Sequence, residues 1–187
     1  MRKIWIGLVA FGLPLLAFSG AGKEQWTLEK SEISYVVTHP LHVVHGKSLS
    51  AKGKGVCYDL KCEFLVAVPV KTFDSGDNNR DLHMLEVTKA GLYPMIEVRA
   101  KTAGFQADLT PKTIVADLDV SFAGKIVKYP NESLEVLEWK PDGVRIKGHL
   151  DLSLKAFGIT APSLLTMPIQ DAVPVQLDMY WKKAGPK

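Results

Sequence analysis

Residues 144–154 read VRIKGHLDLSL, and apolar or small residues occupy every second position through the run. Val144, Ile146, Gly148, Leu150, Leu152 and Leu154 alternate with Arg145, Lys147, His149, Asp151 and Ser153. A two-residue period marks an extended chain with one buried face and one wet face. Ile114, Ala116, Leu118, Val120 and Phe122 repeat the pattern against Val115, Asp117, Asp119 and Ser121. Strands wet on one side belong to antiparallel sheets. His149 falls on the wet face and reads as a solvated surface residue.

Further strands are predicted at Trp26–Lys30, Ile33–Thr38, Ser48–Cys57, Cys62–Phe73, Met95–Thr102, Ser133–Trp139 and Val173–Lys182. Lys140-Pro141-Asp142-Gly143 is a turn, and Gly53 with Gly55 marks a sharply bent strand. Many strands with almost no helix give a sandwich or a barrel. Closure removes exposed edges, which favours an all-β antiparallel barrel of about eight strands.

One segment departs from this pattern. Residues 76–94 read GDNNRDLHMLEVTKAGLYP and predict a short helix near residues 78–90. Asn78 is its expected N-cap, with Asp81 three residues on as a variant capping box. Leu82 and Leu85 are expected to share a face, and Gly91 and Pro94 to end the helix. Arg80 stands in the first turn, where the helix dipole disfavours a cation. Its charge calls for a carboxylate, such as Asp77 or Asp81, or for an anionic ligand group.

The N-terminus has the form of a secretory signal peptide: Arg2 and Lys3, an uncharged apolar run from Ile4 to Phe18, then Ser19, Gly20 and Ala21. The expected division is a signal peptide at 1–21 and one barrel domain at 22–187, exported to a bacterial periplasm. An uncleaved anchor is the alternative, although Gly12 and Pro14 interrupt a run short for a spanning helix. Without the signal, 21 basic residues face 20 acidic ones and no basic run remains, so nucleic acid is not an expected partner. Cys57 and Cys62, the only cysteines, flank a predicted four-residue hairpin loop. In an oxidising compartment they are expected to form a disulfide. A redox pair or a metal clip is the competing use, and C-x4-C lacks the spacing usual for either.

Three of the five histidines lie in THPLHVVHG, residues 38–46. Pro40 argues against a helix. Along one strand His39 and His45 share a side and His42 points away, so a three-histidine metal centre does not follow from the spacing. A pair with His83 lacks an evident acidic or cysteine ligand, and no metal is expected.

The stretch FDSGDNNRDLHMLEVTKAGLYP, with Arg80, Asp81, His83, Tyr93 and Pro94 in order, resembles the YceI-like family. So do ISYVVTH, which ends in His39 with Gly46 beyond it, and LSLKAFGI near the C-terminus. The resemblance spans about residues 26 to 182. It implies an exported, lipocalin-like barrel whose relatives of known ligand hold a long isoprenoid chain, a polyprenyl or quinone-type lipid, in an apolar tunnel. His39, Arg80, Asp81 and His83 then become candidates for its polar end. Phe73, Tyr93 and Phe122 become candidates to flank the hydrocarbon, with Ala116 and Gly148 leaving space.

The chain departs from the family in AGKIVKYP after Phe122, in the apolar segment Ala161–Ala172, and in the cysteine hairpin. The leading expectation is a periplasmic carrier or sequestering protein for an amphiphilic isoprenoid lipid. One alternative is a stress-related interaction protein without a dedicated ligand, marked by an exposed apolar patch at Ala161–Met167. The other is an enzyme acting on such a lipid with His39 or His83 as base. No nucleophile elbow, paired-carboxylate motif or cofactor fingerprint is present, so neither catalysis nor a cofactor is expected. Membrane-surface contact and a dimer stay open.

Overall fold

The computed structural model describes residues 23–58, 61–103, 111–164 and 166–185, so the expected signal peptide lies outside the described residues. The strands are β1 (Glu24–His39), β2 (His42–Ser48), β3 (Lys52–Tyr58), β4 (Lys61–Pro69), β5 (Met95–Ala103), β6 (Thr113–Phe122), β7 (Lys125–Lys140), β8 (Gly143–Ser153), β9 (Ser163–Leu164), β10 (Met167–Pro168) and β11 (Ala172–Lys183). One α-helix, α1 (Asn78–Val87), and a 3-10 turn (Val70–Thr72) complete the set.

Nine strands form one antiparallel sheet in the order β11-β8-β7-β6-β5-β4-β3-β1-β2, and β1 pairs with β11 to close it. Both β2 and β3 pair with β1, one along its second half and one along its first residues. They are two parts of a single stave broken at residues 49–51, so the closed barrel has eight staves. The seam beyond the break is held by polar contacts. Ser48 and Thr72 share a hydroxyl hydrogen bond of 2.7 Å, Thr72 Oγ1 donates to the Pro69 carbonyl, and Lys47 bridges Asp74 through backbone bonds.

The two alternating runs behave as their periods require. Ile114, Ala116, Leu118, Val120 and Phe122 of β6 are all buried, and the odd-numbered residues of β8 from Arg145 to Asp151 are exposed. His149 is among them, within hydrogen-bonding distance of Asp151. The buried faces feed two apolar clusters. One holds Trp26, Leu28, Val66, Ile146 and Trp181; the other holds Val70, Leu118, Val120 and Phe157.

Several expected boundaries move. Trp26–Lys30 and Ile33–Thr38 are one long strand, β1, which absorbs an irregularity between Leu28 and Lys30. Ser48–Cys57 is divided between β2 and β3, and the strand expected to reach Phe73 ends at Pro69. Strand β7 begins at Lys125, well before Ser133, because Ala123 (φ 49°) and Gly124 (φ 81°) form a tight two-residue turn. The cysteine hairpin is tighter than a four-residue loop. Tyr58 pairs with Lys61 and Cys57 lies directly opposite Cys62, joined by the expected disulfide.

Helix α1 is capped by Asp77 rather than Asn78. The Asp77 carboxylate accepts from the backbone N–H groups of Asn79 and Arg80, and these bonds hold its pKa below the ordinary carboxylate value. Asp81 does not complete a capping box; it accepts from the Ser75 N–H at 3.1 Å. Leu82 turns to solvent, while Asp81, Met84, Leu85 and Thr88 form the less exposed face. Met84 packs against both apolar clusters.

Strand directions assign the described connections to one end of the barrel or the other. The β1–β2 turn, α1 between β4 and β5, the β6–β7 turn and the segment 154–171 between β8 and β11 share one end. The cysteine hairpin, the β7–β8 turn and the first and last described residues share the other. That second end is packed with large rings. Phe64 and Trp181 meet edge to face at 4.9 Å. Gly53 and Gly55 leave room for them: a Cβ would lie 2.6 Å from the Trp181 ring at Gly53 and 2.2 Å from the Phe64 ring at Gly55. The glycine pair therefore admits aromatic packing.

Candidate functional site

The barrel is not filled. A cavity of about 580 Å³ runs along its inside, between residues as far apart as Trp181 at the ring-packed end and His39, Arg80 and Pro162 at the other. Its wall is almost wholly apolar and comes from inward residues of most staves, among them Val66, Val98, Ala116, Leu118, Ile146 and Leu177. Inward Gly148 is crowded, since a Cβ there would lie 2.7 Å from Leu134.

Polar groups gather where the cavity reaches the surface. Arg80 and His83 on α1, together with His39, His42 and Ser163, border it at the α1 end. Arg80 and His83 are exposed, whereas His39 is buried. Arg80 donates from Nη2 to the Ser75 carbonyl at 2.9 Å and from Nε to Ser75 Oγ at 3.4 Å. Among the described residues no carboxylate forms an ion pair with it. His83 Nδ1 lies 3.5 Å from Glu86. Beneath them the Tyr35 hydroxyl contacts Met84 Sδ at 3.7 Å. Burial, with a smaller push from the Asp81 carboxylate, raises the Tyr35 pKa above the ordinary phenol value.

His39 is fixed by both ring nitrogens. Nε2 lies 3.0 Å from the Met167 carbonyl, to which it donates, and Nδ1 accepts from the Leu41 N–H at 3.1 Å. The segment 154–171 is also tied to β1 by Gln170 N–H donating to the Thr38 carbonyl. Within it Asp171 accepts from Ser153 Oγ at 2.6 Å and from the Lys155 N–H at 2.8 Å. Those bonds lower the Asp171 pKa. The segment thus folds over the cavity, with Pro162, Ser163 and Ile169 on its wall.

The expected histidine geometry is corrected. Pro40-Leu41 is a two-residue hairpin turn, and His42 is the direct cross-strand partner of His39. Opposed residues of a hairpin project to the same face. Their rings stand 5.0 Å apart, both border the cavity, and His45 does not. No group of three potential metal ligands occurs among the described residues.

Of the residues singled out in the sequence, His39, Phe73, Arg80, His83 and Phe122 border the cavity, and Asp81 and Tyr93 do not. Asp81 is occupied at Ser75. Tyr93 packs its ring over Gly124, where a Cβ would lie 2.5 Å away. Sequence reasoning missed Met84 and Thr88 on α1, whose i, i+4 spacing was the available signal, and it missed His42.

Comparison with known proteins settles the family. The model of the YceI-like domain matches residues 26–181. The chain belongs to the YceI-like family. Among solved structures, a polyisoprenoid binding domain from Saccharophagus degradans superposes with a TM-score of 0.69 at 12% identity, covering 85% of this chain and 98% of that one. Burkholderia cenocepacia BcnA gives 0.66 at 16% identity, covering 80% and 95%. At these identities the likeness establishes a common YceI-like barrel and nothing finer. No curated protein matches the chain.

Proposed function

We propose that the protein binds an amphiphilic isoprenoid-type lipid, of polyprenyl or quinone type, and serves as its carrier or sequestering protein in the periplasm. The hydrocarbon chain lies in the cavity, and the head group sits at the α1 end among Arg80, His83, His39 and His42. The observation that carries this reading is an apolar cavity of about 580 Å³ inside a closed barrel, with its histidines and its arginine gathered at the α1 end. Small-molecule sites are typically apolar hollows of this size order with a few oriented polar groups. A large apolar void left empty costs stability, so occupancy by hydrocarbon is favoured. The polyisoprenoid binding of the Saccharophagus domain supports the same ligand class through the shared barrel.

The test is chloroform–methanol extraction of protein purified from its host without denaturation, followed by mass spectrometry. A polyprenyl or quinone-type lipid in near-stoichiometric yield is expected. Lipid-free protein, or only the phospholipids of the host membrane, would overturn the reading.

A further inference from the structure

The outer surface around the cavity opening is unlike the rest of the barrel. Among the described residues, six of the eleven large apolar side chains that stand exposed lie on the β1–β2 hairpin, on α1 and the stretch after it, or at the β6–β7 turn, all at the opening end. They include Leu41 and Val43 on the β1–β2 hairpin, Leu82 on α1, Leu92 just beyond it and Ile126 at the start of β7. Leu92 is 76% exposed and Ile126 69%, so packing within the barrel does not account for them.

Charge is distributed unequally as well. The ion pairs of lysine and arginine among the described residues all lie away from this end: Glu138 with Lys140, Asp178 with Arg145 and Lys147, Glu29 with Lys182, and Glu24 with Lys183. Around the opening Lys47, Lys71, Lys89, Lys125 and Lys155 are exposed, and among the described residues none forms an ion pair, although Lys155 is attracted to the nearby Asp171. The acids at this end keep their charge, but several turn their carboxylates to groups of the protein itself. Asp77 caps α1, Asp81 accepts from Ser75, and Asp171 accepts from Ser153 and Lys155.

We infer that the opening end docks on the surface of an anionic phospholipid bilayer. Its exposed leucines and Ile126 enter the interfacial region, and its lysines meet the head groups. Apolar side chains set among cations match such a surface on both counts. The placement rests on the lipid-carrier reading, since the patch surrounds the opening through which a hydrocarbon chain would leave the bilayer without crossing water.

The full-length chain is labelled with an environment-sensitive fluorophore at Leu92→Cys, or at Val115→Cys on the far half of the barrel. It is then mixed with phosphatidylglycerol–phosphatidylcholine vesicles carrying brominated acyl chains. Both variants keep residues 4–18, so anchoring through that stretch acts on both labels alike. A blue shift and quenching at residue 92, absent at residue 115, are expected. Lys89→Gln and Lys125→Gln should each weaken the response about fivefold.

Equal responses at the two labels, or none at either, would overturn docking by this end. A residue 92 shift that grows with protein concentration without vesicles would assign the patch to a second copy and overturn it too. Polyprenol retention, measured on the same samples, separates this result from the carrier reading. Retention without the residue 92 response defeats docking alone, and the response without retention defeats the carrier reading alone.

Discussion

His39 donates from Nε2 to the Met167 carbonyl at 3.0 Å, joining the β1–β2 hairpin to the segment that folds over the cavity. The side chain is buried and holds the Leu41 N–H through its other nitrogen. His39→Ala leaves two backbone groups without their partner, at a cost of about 1–3 kcal/mol each where water does not replace it. Amide exchange should accelerate at Met167–Gln170, and bound lipid should dissociate faster. Unchanged exchange in that segment would show that the bond does not hold it down.

Arg80 reaches the cavity edge while anchored on Ser75. If it holds the ligand's head group, Arg80→Ala should weaken lipid retention about tenfold or more, as expected for a lost hydrogen bond from a charged donor. Circular dichroism and melting temperature should stay near the parent's, since no carboxylate ion pair is broken. A variant that melts far lower would make Arg80 a structural residue of the Ser75 turn.

Ala116 is buried on β6 with its methyl group on the cavity wall. Ala116→Phe places a ring in space that the proposed lipid would occupy. Overpacking a filled core costs about 1–3 kcal/mol, whereas here the melting temperature of lipid-free protein should change little. Lipid yield on extraction should fall sharply. Severe destabilisation with unchanged lipid yield would place the ligand elsewhere.

The barrel was readable wherever one period ran without interruption. The alternation at 114–122 and 144–154 identified β6 and β8 with their buried faces, and Cys57 and Cys62 lie paired across the β3–β4 hairpin. Reading failed where a long strand carries an irregularity. The strand expected to begin at Ser133 starts at Lys125, and β7 passes through Pro130 and Asn131. Asn131 adopts φ 59°, its N–H donates to Asp117, and the register shifts between Ala116 and Leu118. Alternation along THPLHVVHG as a single strand hides the turn at Pro40-Leu41 that brings His42 beside His39. On α1 the leucines drew attention, although packing selects Met84, Leu85 and Thr88. The cavity was not legible, because a filled barrel and a hollow one share the same alternation.

Asp171 links stability to pH. Its carboxyl is held low by the Ser153 hydroxyl and the Lys155 N–H, and in the unfolded chain it returns to about 3.9. The folded state binds fewer protons between those values, so the contribution is complete above about pH 4 and is lost as pH falls through the folded value. Asp77 acts in the same direction through its cap on α1. Asp171→Asn should flatten the acid limb of a stability–pH curve and leave the shape near neutrality unchanged. An identical acid limb in variant and parent would remove Asp171 from the account.

The central claim is that the hollow of the barrel is a lipid site, and a crystal structure of protein taken from its host without lipid removal tests it most directly. The account predicts continuous, elongated density from the neighbourhood of Arg80 and His39 toward Trp181. Side chains closed over that space, with no density between them, would contradict it.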